Sequence, residues 1–216
     1  VQPGDIAFSD APKYFEKTLK SAATVILLNA AAECPPGKAI LVVDDPFGVY
    51  DALIRTYRPF DPLRFPISPL AIIHPTAIIE PGVVIASNVT IGAHAYIQAN
   101  TYIGAYTEIG QHVQISANCV IGSDAFYFKK RPDGSYHKWR SGGRVIIEDH
   151  VDIGAGCTIN KGVSGDTIIG EGSKLDCQIH IGHGVVVGKN CLFAAQVGIG
   201  GKTVVEDNVV LYGQVG

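Results

Sequence analysis

Residues 85–121 read IASNVTIGAHAYIQANTYIGAYTEIGQHVQISANCVI, and in this stretch isoleucine returns at every sixth position. The frame opens earlier, at Ile73 and Ile79, and runs through Ile85, Ile91, Ile97, Ile103, Ile109, Ile115 and Ile121. It resumes at Ile147, Ile153 and Ile159. After a slip of four residues it resumes again at Ile169, Leu175, Ile181, Val187, Phe193, Ile199, Val205 and Leu211, twenty hexapeptides in all. Glycine often follows the aliphatic residue, as at Gly92, Gly104, Gly182 and Gly200. The fifth position is small or β-branched, as at Ala95, Thr101, Val113, Cys119, Cys157 and Cys191. A period of six with one large and one small apolar residue predicts short parallel strands. Each inward aliphatic then stacks on the one a coil below, in an unbroken ladder. The small fifth residue also points inward, near a corner. Cys119, Cys157 and Cys191 are therefore packing residues, and Cys177 is the one expected to be exposed.

The pattern resembles the left-handed parallel β-helix of hexapeptide acyltransferases, in which three hexapeptides form one triangular coil. Twenty repeats then give nearly seven coils. The left hand follows from the resemblance, because the general crossover rule favours the right.

Outside the ladder the chain has few elements. Pro12–Ala22 reads as a helix, and Thr24–Leu28 and Ala39–Val43 as buried strands. Asp45 and Pro46 read as the cap and first turn of a second helix, with Val49, Tyr50, Leu53, Ile54 and Tyr57 as its apolar stripe. The expected organisation is a small α/β domain over residues 1–60, a proline-rich linker over 61–71 and a β-helix over 72–216. The fold is mainly β. The 216 residues contain no methionine, the first domain opens partway through its pattern, and the last hexapeptide would leave a bare strand edge. A longer chain at both ends is the expectation.

Hydrophobic residues make up 47% and charged residues 17%, which argues against disorder. No apolar run approaches the length of a membrane helix. Five cysteines without a CxxC pair fit neither a disulfide framework nor a zinc knuckle, and suit a reducing compartment. The net charge of −3 gives no general attraction to nucleic acid.

One segment, 127–144, breaks the ladder. It carries Lys129, Lys130, Arg131, Lys138, Arg140 and Arg144 against Asp133 alone. Either it is a solvated excursion loop or it docks a phosphate or an acidic carrier protein. Tyr136 and Trp139 favour binding.

Seven histidines are the candidate general bases. Most fall at outward positions where a solvated side chain is the plain reading. His183 differs. It is third in its hexapeptide, and the residue one 18-residue coil later is Gly201. A base beside a backbone N–H unshielded by a side chain is what acyl transfer requires: one group takes a proton, the other holds the oxyanion. A zinc site on His180 and His183 lacks a third histidine at suitable spacing, unless a neighbouring subunit supplies one.

The runs GSDAFYF, GRVIIEDHVDIGAGCTINKG and DTIIGEGSKLDCQIHIGHGVVVGKNCLFAAQVGIGG resemble the UDP-3-O-(3-hydroxyacyl)glucosamine N-acyltransferases of lipid A synthesis in Gram-negative bacteria. PGDIAFSDAPKY and ILVVDDPFGVYDALI resemble that family's N-terminal uridine-binding domain. The related UDP-N-acetylglucosamine O-acyltransferases lack that domain. The resemblance implies His183 as general base, Asp176 as the residue that orients and charge-stabilises it, and Gly201 as oxyanion donor. It implies Phe8 and Tyr14 as the aromatics that hold uracil. Two departures stand out: Ala11 and Gly184 occupy positions where the family commonly has asparagine. A second family histidine would fall beyond Gly216. The implied reaction moves a 3-hydroxyacyl chain from acyl carrier protein thioester to a sugar 2-amine, in a cytoplasmic homotrimer, with neither metal nor cofactor. Lys129, Lys130 and Arg131 are then the candidate dock for the carrier. The alternatives are the O-acyltransferase or another hexapeptide acyltransferase, a non-enzymatic β-helix scaffold, and a zinc hydratase.

Overall fold

In this computed structural model every residue except Pro132 is described. The chain divides into two compact units, Val1–Phe60 and Asp61–Gly216.

The first unit is a parallel three-stranded sheet with helices. Its strands are β1 (Ile6–Ser9), β2 (Val25–Leu28) and β3 (Ala39–Val42), with β2 in the centre. A single 3-10 turn at Pro12–Tyr14 leads into α1 (Phe15–Leu19), and α2 spans Pro46–Tyr57. Three differences from the sequence reading have clear causes. The expected helix over Pro12–Ala22 is shorter and starts as 3-10, with Pro12 fixing the first turn. The strand at Ala39–Val42 is not buried: it is the sheet edge, and Leu41 and Val42 are about half exposed. The buried face of α2 also lies elsewhere. Phe47 and Asp51 are buried while Val49 and Tyr57 face outward, so the stripe runs through Phe47, Tyr50, Asp51 and Ile54. Asp51 is tolerated there because Arg55 donates to its carboxylate at 2.7 Å, one helical turn on.

The second unit is a three-sided parallel β-helix. Its faces have seven, seven and six strands. The first face runs from Ile72–Ile73 to Val204–Val205, the second from Ile78–Ile79 to Val210–Leu211, and the third from Val84–Ile85 to Gly198–Ile199. Each strand pairs in parallel with the strand one coil away, Ile on Ile: Ile91 with Ile109, Ile109 with Ile147, Ile147 with Ile169. The ladder expected from the sequence is thus the core. Ile85, Ile97, Ile103, Ile115, Ile121, Ile159 and Ile181 are fully buried, as are the small fifth-position residues Val89, Ala95, Thr101, Val113, Cys119 and Cys157. The end coils are looser: Ile73, Ile79, Val205 and Leu211 are only partly covered. Cysteine exposure departs from expectation in one respect, since Cys34 is exposed as well as Cys177.

At the corners the backbone turns through the left-handed region. Thirteen described non-glycine residues have positive φ, among them Asn88, His94, Asn100, His112, His150 and Gln178. Asparagine tolerates that region better than most residues. Stacking adds compensation at two corners. The rings of His94, His112 and His150 stack at 4.9 and 5.0 Å, and Gln178, Gln196 and Gln214 form an amide ladder at 2.9 Å.

The excursion leaves the third face after Val120–Ser123. It contains an antiparallel hairpin, Phe128–Lys130 with Tyr136–Lys138, which periodicity did not reveal. Trp139 closes the hairpin as a fully buried side chain, and its backbone N–H donates to the Tyr127 carbonyl at 3.1 Å. At its far end Arg144 pairs with Glu108 and, at 3.2 Å, with Asp166. The excursion is therefore anchored to the coils at its base.

Candidate active site

A cleft of about 280 Å³ opens on the third face, lined by Phe126, Asn160, His180, His183 and the backbone of Gly198–Gly201. His183 and Gly201, paired by coil arithmetic, meet here. A β-carbon built on Gly201 would lie 2.6 Å from His183 Nε2 and 2.9 Å from its two flanking ring carbons. The imidazole therefore rests directly over the Gly201 backbone, and only glycine leaves it room. Gly182 has a matching reason: a β-carbon there would come within 2.8 Å of the Gly201 nitrogen. Among the described residues the Gly201 N–H donates to no acceptor, whereas the next amide, Lys202, bonds to the His183 carbonyl at 2.8 Å. A free donor thus sits beside a ring nitrogen.

The electrostatics favour a neutral ring. Burial first, and the Lys202 ammonium second, hold the His183 imidazole below the ordinary histidine value. Nδ1 is buried and has no hydrogen-bond partner among the described residues. Tyr127 lies edge-on to the imidazole, with centroids 5.7 Å apart and planes at 86°.

The structure does not bring Asp176 to His183. Seven residues is one face plus one residue, so Asp176 follows the second-face strand Lys174–Leu175 while His183 follows the third-face strand His180–Ile181. The exposed Asp176 carboxylate accepts the Cys177 N–H at 2.7 Å and forms no ion pair with the imidazole. Within one chain the two side chains stand at successive corners of the coil.

Three further residues line the cleft: His180, read in the sequence as a histidine of the zinc alternative, and Asn160 and Phe126, which were missed. His180 Nδ1 is 2.7 Å from the Thr158 hydroxyl, which fixes the ring and leaves Nε2 toward the cleft. Asn160 donates to the Asp124 carbonyl at 2.9 Å, beside the Lys161–Asp124 pair. Phe126, 88% exposed, stands at the lip. His180 had a signal, since it directly precedes the inward Ile181 and must point outward. Phe126 had none, because it lies outside the periodic frame.

The basic triad is on the hairpin. Lys129 and Lys130 are on its first strand, and Arg131 follows, with a guanidinium nitrogen 2.8 Å from His137 Nδ1. In the first unit, Phe8 is not a free platform. Its ring packs against Phe47 at 6.2 Å and Tyr50 at 4.8 Å. Tyr14 is half exposed, with the Lys13 ammonium 4.8 Å from its ring centre.

A larger groove of about 500 Å³ on the first face gathers Glu108, Glu148, Asp149, Glu171 and Lys189. Its acids are engaged structurally: Glu108 by Arg144, Glu171 by Lys189, Asp149 by the Gln111 N–H and Glu148 by the Glu171 N–H. The cleft at His183 is the better candidate for chemistry. Among the described residues no group of three or more His, Cys, Asp or Glu side chains is arranged to hold a metal ion. Nor is any helix long and apolar enough to cross a membrane.

The coils place a histidine over a bare glycine amide, and their repeat is similar to that of bacterial transferases. The repeat described as bacterial transferase hexapeptide (six repeats) matches residues 70–105 and 166–201. Among its relatives, the UDP-3-O-acylglucosamine N-acyltransferase of a Bradyrhizobium species is 51% identical over 77 residues, covering 36% of this chain and 22% of the relative. The enzyme of that name from Helicobacter hepaticus is 44% identical over 100 residues, covering 46% of this chain and 31% of the relative. The chain thus matches less than a third of these relatives' length. Among solved structures, UDP-N-acetylglucosamine acyltransferase from Bacteroides fragilis aligns with a TM-score of 0.56 and 29% identity, over 68% of this chain and 57% of that one. The acyltransferase from Francisella novicida gives 0.54 and 25%, over 68% and 54%.

Proposed function

We propose that this chain is an N-acyltransferase of lipid A biosynthesis, moving a 3-hydroxyacyl chain from acyl carrier protein to the 2-amine of UDP-3-O-acyl-glucosamine. The observation that carries the proposal is the contact of the His183 imidazole with the backbone of Gly201. The sugar amine attacks the thioester carbonyl. His183 Nε2 takes the proton the amine sheds, and the Gly201 N–H holds the oxyanion of the tetrahedral intermediate. As that intermediate collapses, the carbon–sulfur bond breaks, the amide remains and the carrier thiol leaves with the proton from the imidazolium. No metal or redox cofactor enters these steps.

The partners follow from the same reading. Acyl carrier protein is acidic, and Lys129, Lys130 and Arg131 are its proposed dock. Phe8 and Tyr14 are the proposed uracil contacts. The working unit is proposed to be a cytoplasmic homotrimer in a Gram-negative bacterium. An outward apolar column on the first face supports self-association: Ile146, Ile168, Val186 and Val204 succeed one another through four coils. Light scattering on purified protein at micromolar concentration checks this, with three chains per particle expected.

The acceptor is tested by offering acylated carrier with UDP-3-O-acyl-glucosamine and, separately, UDP-N-acetylglucosamine, and weighing the products. An amide product from the amine alone is expected. Acylation of the hydroxyl of UDP-N-acetylglucosamine instead would assign the chain to the O-acyltransferases.

A further inference from the structure

We infer that Tyr127, carried by the basic excursion, is a positioning residue for His183: its ring, set against Trp139, holds the imidazole over Gly201. The inference deepens the proposed function and rests on His183 being its base.

The imidazole needs an orienting contact, and within one chain hydrogen bonding does not supply one. Nδ1 is buried without a partner among the described residues, and Asp176 is engaged by the Cys177 N–H. A general base that takes a proton through Nε2 carries its own hydrogen on Nδ1, and no described residue of the same chain accepts it. Within the chain, packing does it. The ring rests on Gly201, where even a β-carbon would collide. Tyr127 stands edge-on to it at 5.7 Å. Such a perpendicular pair sets both the distance and the tilt of a ring.

Tyr127 is itself held. Its ring meets Trp139 at 5.5 Å and 66°, and its carbonyl accepts the Trp139 backbone N–H. Trp139 is 1% exposed, so it is a fixed backing rather than a mobile contact. The line from Trp139 through Tyr127 to His183 joins the base of the hairpin to the reacting nitrogen. The excursion then belongs to the catalytic apparatus as well as to any docking surface. Tyr127 also contributes to the burial that keeps the imidazole neutral, since its ring covers part of the imidazole.

The test compares Tyr127→Ala and Tyr127→Phe in the full chain by two readouts. The first is the titration of the His183 ring followed by nuclear magnetic resonance, its signal assigned by its loss in His183→Gln. The second is kcat and KM for acyl transfer. In Tyr127→Ala the titration midpoint is expected to rise toward the ordinary histidine value, and kcat to fall on the order of tenfold or more with KM little changed. Tyr127→Phe, which keeps the ring, should recover most of both. Thermal melting checks that each variant is folded, and a Tyr127→Leu replacement serves if the alanine variant is not. A His183 midpoint and a kcat that both match wild type after removal of the ring would overturn the inference. If wild type transfers no acyl group, the proposed function fails, and the titration alone then decides whether Tyr127 sets the state of His183.

Discussion

The coils and the excursion of the same β-helix are built on opposite principles. In the coils every stabilising contact repeats: Ile121 rests on Ile159, and Ile159 on Ile181, each fully buried. In the excursion nothing repeats. Exposed Phe126 precedes a two-stranded hairpin that carries exposed Tyr136, and one buried indole, Trp139, anchors its base. A lone hairpin is marginally stable in water, so this one depends on that anchor and on the Arg144 pairs. The contrast teaches where function resides in a repeat protein. The coils supply a rigid backbone that places His183 over Gly201, and the irregular segment supplies the side chains around them.

Four outcomes would sharpen or break this contrast. The largest effect is expected in the ladder. Ile159→Asp places an unpaired charge in a closed stack and should cost more than about 4 kcal/mol, enough to leave the coils unfolded by circular dichroism. A folded, fully stable variant would mean that the stack is not the source of stability. Next comes Gly201→Ala. Its methyl must push the imidazole aside without removing the N–H, so kcat should fall about a hundredfold while the melting temperature shifts little. A normal kcat would show that the imidazole does not work from this position.

The third outcome concerns pH. The folded His183 value is depressed, so the base is neutral over a wider range than an ordinary histidine. Log kcat/KM should rise with pH and level off at a midpoint below the usual histidine value. The sign for stability is the same: the contribution of His183 is complete above its unfolded value and is lost as pH falls through the folded one. A midpoint above the ordinary value would contradict the burial argument. The smallest effects belong to the hairpin surface. Reversing the charges of Lys129, Lys130 and Arg131 should raise KM for acylated carrier roughly tenfold and change stability by less than about 0.5 kcal/mol. An unchanged KM removes the docking role.

How far the sequence could be read follows from the same contrast. Wherever the six-residue frame held, position was arithmetic. Inward and outward sides, the buried cysteines and the His183–Gly201 approach all follow from counting in sixes and eighteens. Where the frame broke, counting lost its meaning. Tyr127 and Phe126 reach the cleft by tertiary folding of a loop whose register no repeat sets. Asp176 shows the same limit of counting: a seven-residue interval carries it around a corner, onto the neighbouring face of its own chain. In the first unit the errors were of burial. Only the sheet order shows that Ala39–Val42 is an edge strand, and only packing turns α2 so that Phe47 and Asp51 face inward.

The central claim is that a neutral His183 over the Gly201 amide is the base of acyl transfer, and replacing that imidazole tests it most directly. Single-turnover transfer from acylated carrier to UDP-3-O-acyl-glucosamine would be compared in wild type and His183→Ala, with thermal melting as the control for folding. The account predicts a rate lower by about a hundredfold to ten-thousandfold in a protein that melts as wild type does. A folded His183→Ala variant that transfers the acyl chain at the wild-type rate would contradict it.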